Sequence, residues 1–65
     1  MITLSENKAS IERFDSLLTV NETQMIFILP RKRLTIQGEQ LHVVLFSKEE
    51  IWIEGKIRQV TFDER

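Results

Sequence analysis

Residues 34–44 read LTIQGEQLHVV, and residues 51–57 return to the pattern in shorter form, IWIEGKI. In each, two apolar residues flank a polar or aromatic one, a polar residue follows, and a glycine precedes renewed apolar residues. The chain has only two glycines, Gly38 and Gly55, and both hold this place. Leu34 and Ile36 fall on one face of a strand, Thr35 and Gln37 on the other. Leu41, Val43 and Leu45 form the next apolar set, and Leu41 follows Ile36 by five residues. An odd separation puts the two sets on opposite faces of a straight strand, so the chain must reverse at Gly38 or insert a bulge there. Glycine suits both tasks because it reaches positive φ without steric cost. A type II′ hairpin centred on Gly38-Glu39, repeated at Gly55-Lys56, meets the requirement. A bulge within one long bent strand is the rival geometry. Either way the glycines mark repeated corners of an antiparallel sheet, and neither opens a glycine-rich phosphate loop.

Upstream, QMIFIL (residues 24–29) is rich in β-branched and aromatic residues and predicts a strand that Pro30 ends or bends. Downstream, Glu50 to Glu54 and Lys56 to Phe62 predict two further strands, with the tail DER frayed. The first third reads two ways. Ile11, Phe14 and Leu18 make a helical stripe with Ser5 as its N-cap, whereas Leu17-Leu18-Thr19-Val20 suits a strand. The expected fold is therefore all-β, a small antiparallel meander curled into a barrel or a two-layer sheet. The alternative is α+β with one short helix near residues 6–18. Residues 1–65 form one small domain.

A chain this short needs help to stay folded. It has no cysteine, which removes disulfides and thiolate metal sites, and its single histidine, His42, has no second histidine to share a zinc ion with. Neither metal nor cofactor is expected, and self-association is the favoured compensation. Nine basic residues against ten acidic ones give a net charge of -1, whereas a nucleic-acid binder needs a basic face. The N-terminal MITLSENK lacks the pattern of an export signal, and the longest apolar run, Met25 to Leu29, is too short to span a bilayer. A soluble, cytoplasmic protein is expected.

Few side chains suggest chemistry. His42 has no acidic neighbour at a spacing that fixes a catalytic pair, so a surface or partner-facing role is expected of it. Glu49 and Glu50 are adjacent and would point to opposite faces of a strand, which suits a solvated turn. Arg31, Lys32 and Arg33 are the only basic run and have no interleaved aromatic for stacking bases, so a charge-guarded edge strand is the plainer reading. Trp52 lies between Ile51 and Ile53 and faces away from the core if they face in. By the same alternation His42, Val44 and Phe46 oppose Leu41, Val43 and Leu45. Apolar residues on both faces of several strands leave two readings: a barrel or sandwich that covers the second face, or a docking surface of Trp52, Phe46, Val44 and His42.

The pattern Leu34-x-Ile36-x-Gly38-Glu39-x-Leu41-His42-Val43, followed by Ile53-x-Gly55-x-Ile57 and the aromatic Phe62, resembles the YabP/YqfC family of small sporulation proteins. Glu6-Asn7-Lys8, Phe14 and the segment Asn21 to Phe27 match more loosely. Leu29-Pro-Arg-Lys32 departs from the family's frequent Thr-x-x-Gly turn, and no glycine stands near Ile11. The resemblance implies an all-β fold, strands rather than a helix in the first third, no catalysis, and a structural or regulatory role in the mother-cell stage of sporulation. The function expected first is a non-enzymatic structural or protein-interaction module with a protein partner or a homo-oligomeric state. The alternative is a small RNA-binding Sm-like or OB-like module. IEGKIRQVTFDE (residues 53–64) is similar to the turn of Sm-like proteins, and Arg31, Lys32, Arg33 and Arg58 would be its basic patch.

Overall fold

The stretch around Gly38 neither turns back nor breaks. In the computed structural model, which describes residues 2–64, it runs as one long bent strand. Six strands form the described part of the chain: β1 (Ile2–Leu4), β2 (Lys8–Glu12), β3 (Ser16–Val20), β4 (Gln24–Leu29), β5 (Lys32–Phe46) and β6 (Glu50–Glu64). They make a single sheet in the order β1-β2-β6-β5-β4-β3, every neighbouring pair antiparallel. The fold is all-β, and no helix forms among the described residues, so the first third adopts strands β1 to β3. The sheet is open rather than closed into a barrel, with β1 and β3 as its edges.

Two 15-residue strands, β5 and β6, form the spine, and their register slips at Gln37/Gly38, Glu39/His42 and Val43/Leu45. These slips are the bulges that the odd spacing demanded, and they let Leu34, Ile36 and Leu41 all face inward. The hairpin geometry at Gly38-Glu39 and Gly55-Lys56 is thereby excluded. The two strands expected after Glu50 are one, and Asp63 and Glu64 pair with Arg33 and Lys32 rather than fraying. Arg65 lies outside the described residues.

At both glycines the backbones of β5 and β6 lie too close together to admit a side chain. A Cβ on Gly38 would collide with the carbonyl oxygen of Lys56, and one on Gly55 would lie 2.7 Å from the Gln40 oxygen and 2.8 Å from the Leu41 Cα. Gly55 also has φ of 142°, a conformation other residues avoid.

The repeated sequence has a structural meaning. Glu39 pairs with Lys56, and the pairs on either side repeat with the strands exchanged: His42↔Glu54 answers Gln59↔Gln37, and Val43↔Ile53 answers Val60↔Ile36. The hairpins that flank the spine repeat too. Ser5 N donates to Lys8 O at 2.9 Å, and Asn21 N to Gln24 O at 3.0 Å. Each hairpin turn then holds one corner: Gly38 N and Leu41 N donate to Thr23 O and Glu22 O, while Gly55 N and Ile57 N donate to Asn7 O and Glu6 O. The fold is thus a pseudo-two-fold arrangement about the Glu39–Lys56 pair.

Inward faces of the two halves meet in one core. Ala9, Ile11, Leu41, Ile51 and Ile53 come from one half, and Met25, Phe27, Leu29, Leu34 and Ile36 from the other. Phe14, in the β2–β3 connection, closes one end by packing edge-on against Phe27 at 5.9 Å.

Candidate interaction surface

Side chains that face away from the core on β1, β2, β6 and β5 follow from the register. Thr3 pairs with Ser10, Ser10 with Trp52 and Trp52 with Leu45, so these four form one row across the sheet. A second row runs Lys8, Glu54, His42, and a third pairs Glu12 with Glu50. Trp52 thus lies opposite Ile51 and Ile53, as alternation requires, and 45% of it stays exposed. A shallow groove of about 330 Å³ runs beside it, lined among others by Thr3, Ser10, Val44, Trp52 and Glu54.

The docking set expected from sequence is only partly brought together. Trp52 and Val44 share the groove, and His42 lies one row away. Phe46 does not join them. The slip between Val43 and Leu45 consumes Val44 as the bulged residue and pairs Phe46 with the buried Ile51. Phe46 therefore lies on the core-facing side of the sheet, 6.3 Å edge-on from Phe14 yet 64% exposed, and Leu45 takes the outer position beside Trp52. No feature of the sequence marks this third slip, because no glycine accompanies it.

The row beside the groove is electrostatically balanced. Lys8 Nζ and His42 Nε2 each lie 4.0 Å from a Glu54 carboxylate oxygen. His42 Nδ1 is 2.9 Å from the Gln40 carbonyl oxygen. A carbonyl only accepts, so Nδ1 donates and the ring is oriented by its own backbone. These pairs are well exposed and contribute little to stability. No group of three His, Cys, Asp or Glu side chains that could hold a metal occurs among the described residues.

The four residues of the basic patch are not gathered. Arg58 bonds Glu39 at the corner, Nη2 to Oε1 at 3.1 Å. Arg31, in the β4–β5 turn, and Lys32 and Arg33, at the start of β5, lie about 20 Å away at the rise of a strand. There Lys32 and Arg33 register against Glu64 and Asp63, and the Lys32 ammonium sits 5.8 Å from the centre of the Phe62 ring. The charge-guarded edge is also corrected, since β5 is a central strand and the edges are β1 and β3.

The pseudo-two-fold provides an internal comparison. Residues 34–38 map onto residues 51–55 by adding 17, which sets Thr35 against Trp52, Gln37 against Glu54 and, from the register, Gln59 against His42. Hairpin residues map by adding 16, which sets Gln24 against Lys8. Core positions keep their character under this mapping: Leu34 and Ile51, Ile36 and Ile53, and Phe27 and Ile11 are all fully buried. The outward positions do not. The fold accepts a threonine where the other half carries its only tryptophan. Compared with family models, with curated proteins and with solved structures, the chain has no match.

Proposed function

We propose that this protein is a non-enzymatic structural module that acts by self-association, with the outer face around Trp52 as the contact surface. The single observation that carries the reading is the exchange of Trp52 for Thr35 between equivalent positions. The same backbone site folds with a small polar residue in one half, so folding does not require the indole in the other. A half-exposed tryptophan beside an apolar groove suits an interface, where aromatic anchors provide most of the binding energy. The size of the chain favours a second copy as the partner, because a 65-residue domain without disulfides gains stability by association. On the resemblance of residues 34–62 to the YabP/YqfC family, the process served is spore formation.

Trp52 is the only tryptophan, so its emission reports its own surroundings. Light scattering across a concentration series should show mass rising while the emission moves to shorter wavelength. Trp52→Thr, the residue that the equivalent site already uses, should reduce the mass reached. Equal masses for wild type and Trp52→Thr at every concentration would remove the Trp52 face from the interface.

A further inference from the structure

We infer that two copies meet edge to edge along the second half of β5: residues 43–46 of each copy lie antiparallel about the Val44–Leu45 bond, and one sheet continues into the next. The inference rests on the self-association reading and adds how the copies are arranged.

Only the first half of β5 is central in the sheet. Its pairs with β4 run from Lys32 to Gln37, and Gly38 N and Leu41 N then reach the β3–β4 turn. From His42 to Phe46 no strand among the described residues lies on that flank, so the segment is an open edge. Charge and proline are the usual guards of such an edge, and neither occurs between His42 and Lys48. Of the eight large apolar side chains left exposed among the described residues, four gather here: Val44, Leu45, Phe46 and, one strand in, Trp52. The pseudo-two-fold gives the second half of β6 the same open flank, but there Arg58, Asp63 and Glu64 place charge along it.

The remaining guard is the bulge at Val44, and it selects the occupant. Val43 and Phe46 register against the buried Ile53 and Ile51 and lie on the core-facing side. Leu45 registers against Trp52, and Val44 lines the groove beside the indole, so both lie on the outer side. The order inward, outward, outward, inward reads the same from either end. A strand of regular alternation laid along this edge would put two of its four side chains on the wrong face. A second copy carries the same bulge and matches at all four. Val43 then meets Phe46 of the other copy and Val44 meets Leu45, each pair twice and apolar throughout. The two-fold stands normal to the sheet and closes the contact. Both indoles share one outer surface, each behind a Leu45 that abuts the other copy's Val44.

Phe46 lies on the opposite side of the sheet from Trp52, so it separates an edge contact from a face-to-face one. By light scattering across a concentration series, Phe46→Ser should weaken the dimer at least about tenfold. Leu45→Lys and Val44→Glu should each do the same. An equimolar mixture of those two variants should recover the dimer to within about tenfold of wild type, because the introduced ammonium and carboxylate stand directly opposite each other. That recovery also shows that both variants fold. If Trp52→Thr lowers the mass while Phe46→Ser leaves it unchanged, the copies meet face to face, which overturns the edge contact and leaves the Trp52 reading standing. If Phe46→Ser lowers it and the mixture recovers it while Trp52→Thr changes nothing, the edge contact stands without the Trp52 face. A mixture that stays monomeric overturns the edge contact. A wild type that is monomeric at every concentration overturns both readings and leaves the edge to a strand of another protein.

Discussion

Arg31 is held at φ of 69°, where a residue other than glycine or asparagine is strained by about 1 kcal/mol. The cause is its neighbour. Leu29 pairs with Lys32, so the β4–β5 turn has only Pro30 and Arg31 at its centre. Proline cannot take the positive φ that hairpin turns of types I′ and II′ need first, which leaves type II with positive φ at the second residue. Replacing Arg31 by Gly should therefore raise stability by about 0.5 kcal/mol, after the entropic cost of glycine, as read from a urea midpoint. The two corner glycines predict the opposite sign. Gly38→Ala has backbone to push aside, the Lys56 carbonyl, and should cost about 3 kcal/mol or more. Gly55→Ala adds backbone strain to a similar clash and should cost at least as much. A Gly38→Ala protein as stable as wild type would mean that β5 and β6 do not cross closely there.

The turns of the two hairpins act at the scale of elements, because each fixes a corner of the spine as well as its own strands. Asn21 Oδ1 accepts from Thr23 N at 2.9 Å, Thr23 Oγ1 at 3.0 Å and Gln24 N at 2.8 Å. It orders the backbone whose carbonyls receive Gly38 N and Leu41 N. Asn21→Ala removes this acceptor and should cost about 1–2 kcal/mol by thermal melting. Ser5, its counterpart, accepts one longer bond from Lys8 N at 3.2 Å, so Ser5→Ala should cost less, about 0.5 kcal/mol. Much of this was legible in the sequence. The repeated glycine pattern, the strand ended by Pro30 and the need for a phase change after Ile36 were all present. The choice of bulge over hairpin was not, because both satisfy the same local alternation. It depends on whether the following strand finds its partner across β6.

The whole molecule has one core shared by two halves, so damage to either half should unfold both. Phe27 is fully buried, touches Phe14 and lies in that shared core. Phe27→Ala should cost about 3–5 kcal/mol, most or all of the stability of so small a domain, and a circular dichroism melt should show a single transition lost rather than half retained. Trp52→Thr belongs to the same scale with the opposite outcome. It should leave the stability of the separate subunit within about 1 kcal/mol, since the pseudo-equivalent site already carries threonine. The outward direction of Trp52 was legible from Ile51 and Ile53. The place of Phe46 was not, since one unmarked bulge at Val44 moves it to the core side and sets Leu45 beside the indole instead.

By itself the sequence determined the strands after residue 24, the corners at Gly38 and Gly55 and the outward direction of Trp52, while it left the first third open between helix and strand. These follow from alternation and from glycine's freedom, which act over a few residues. Only the tertiary structure decided that the sheet stays open with β1 and β3 as its edges, that the two corners are related by a pseudo-two-fold, and that the basic run lies far from Arg58. Those outcomes depend on which strands pair at long sequence separation, as β2 does with β6, and in what register, and a one-residue slip there costs nothing locally while reversing every side chain beyond it.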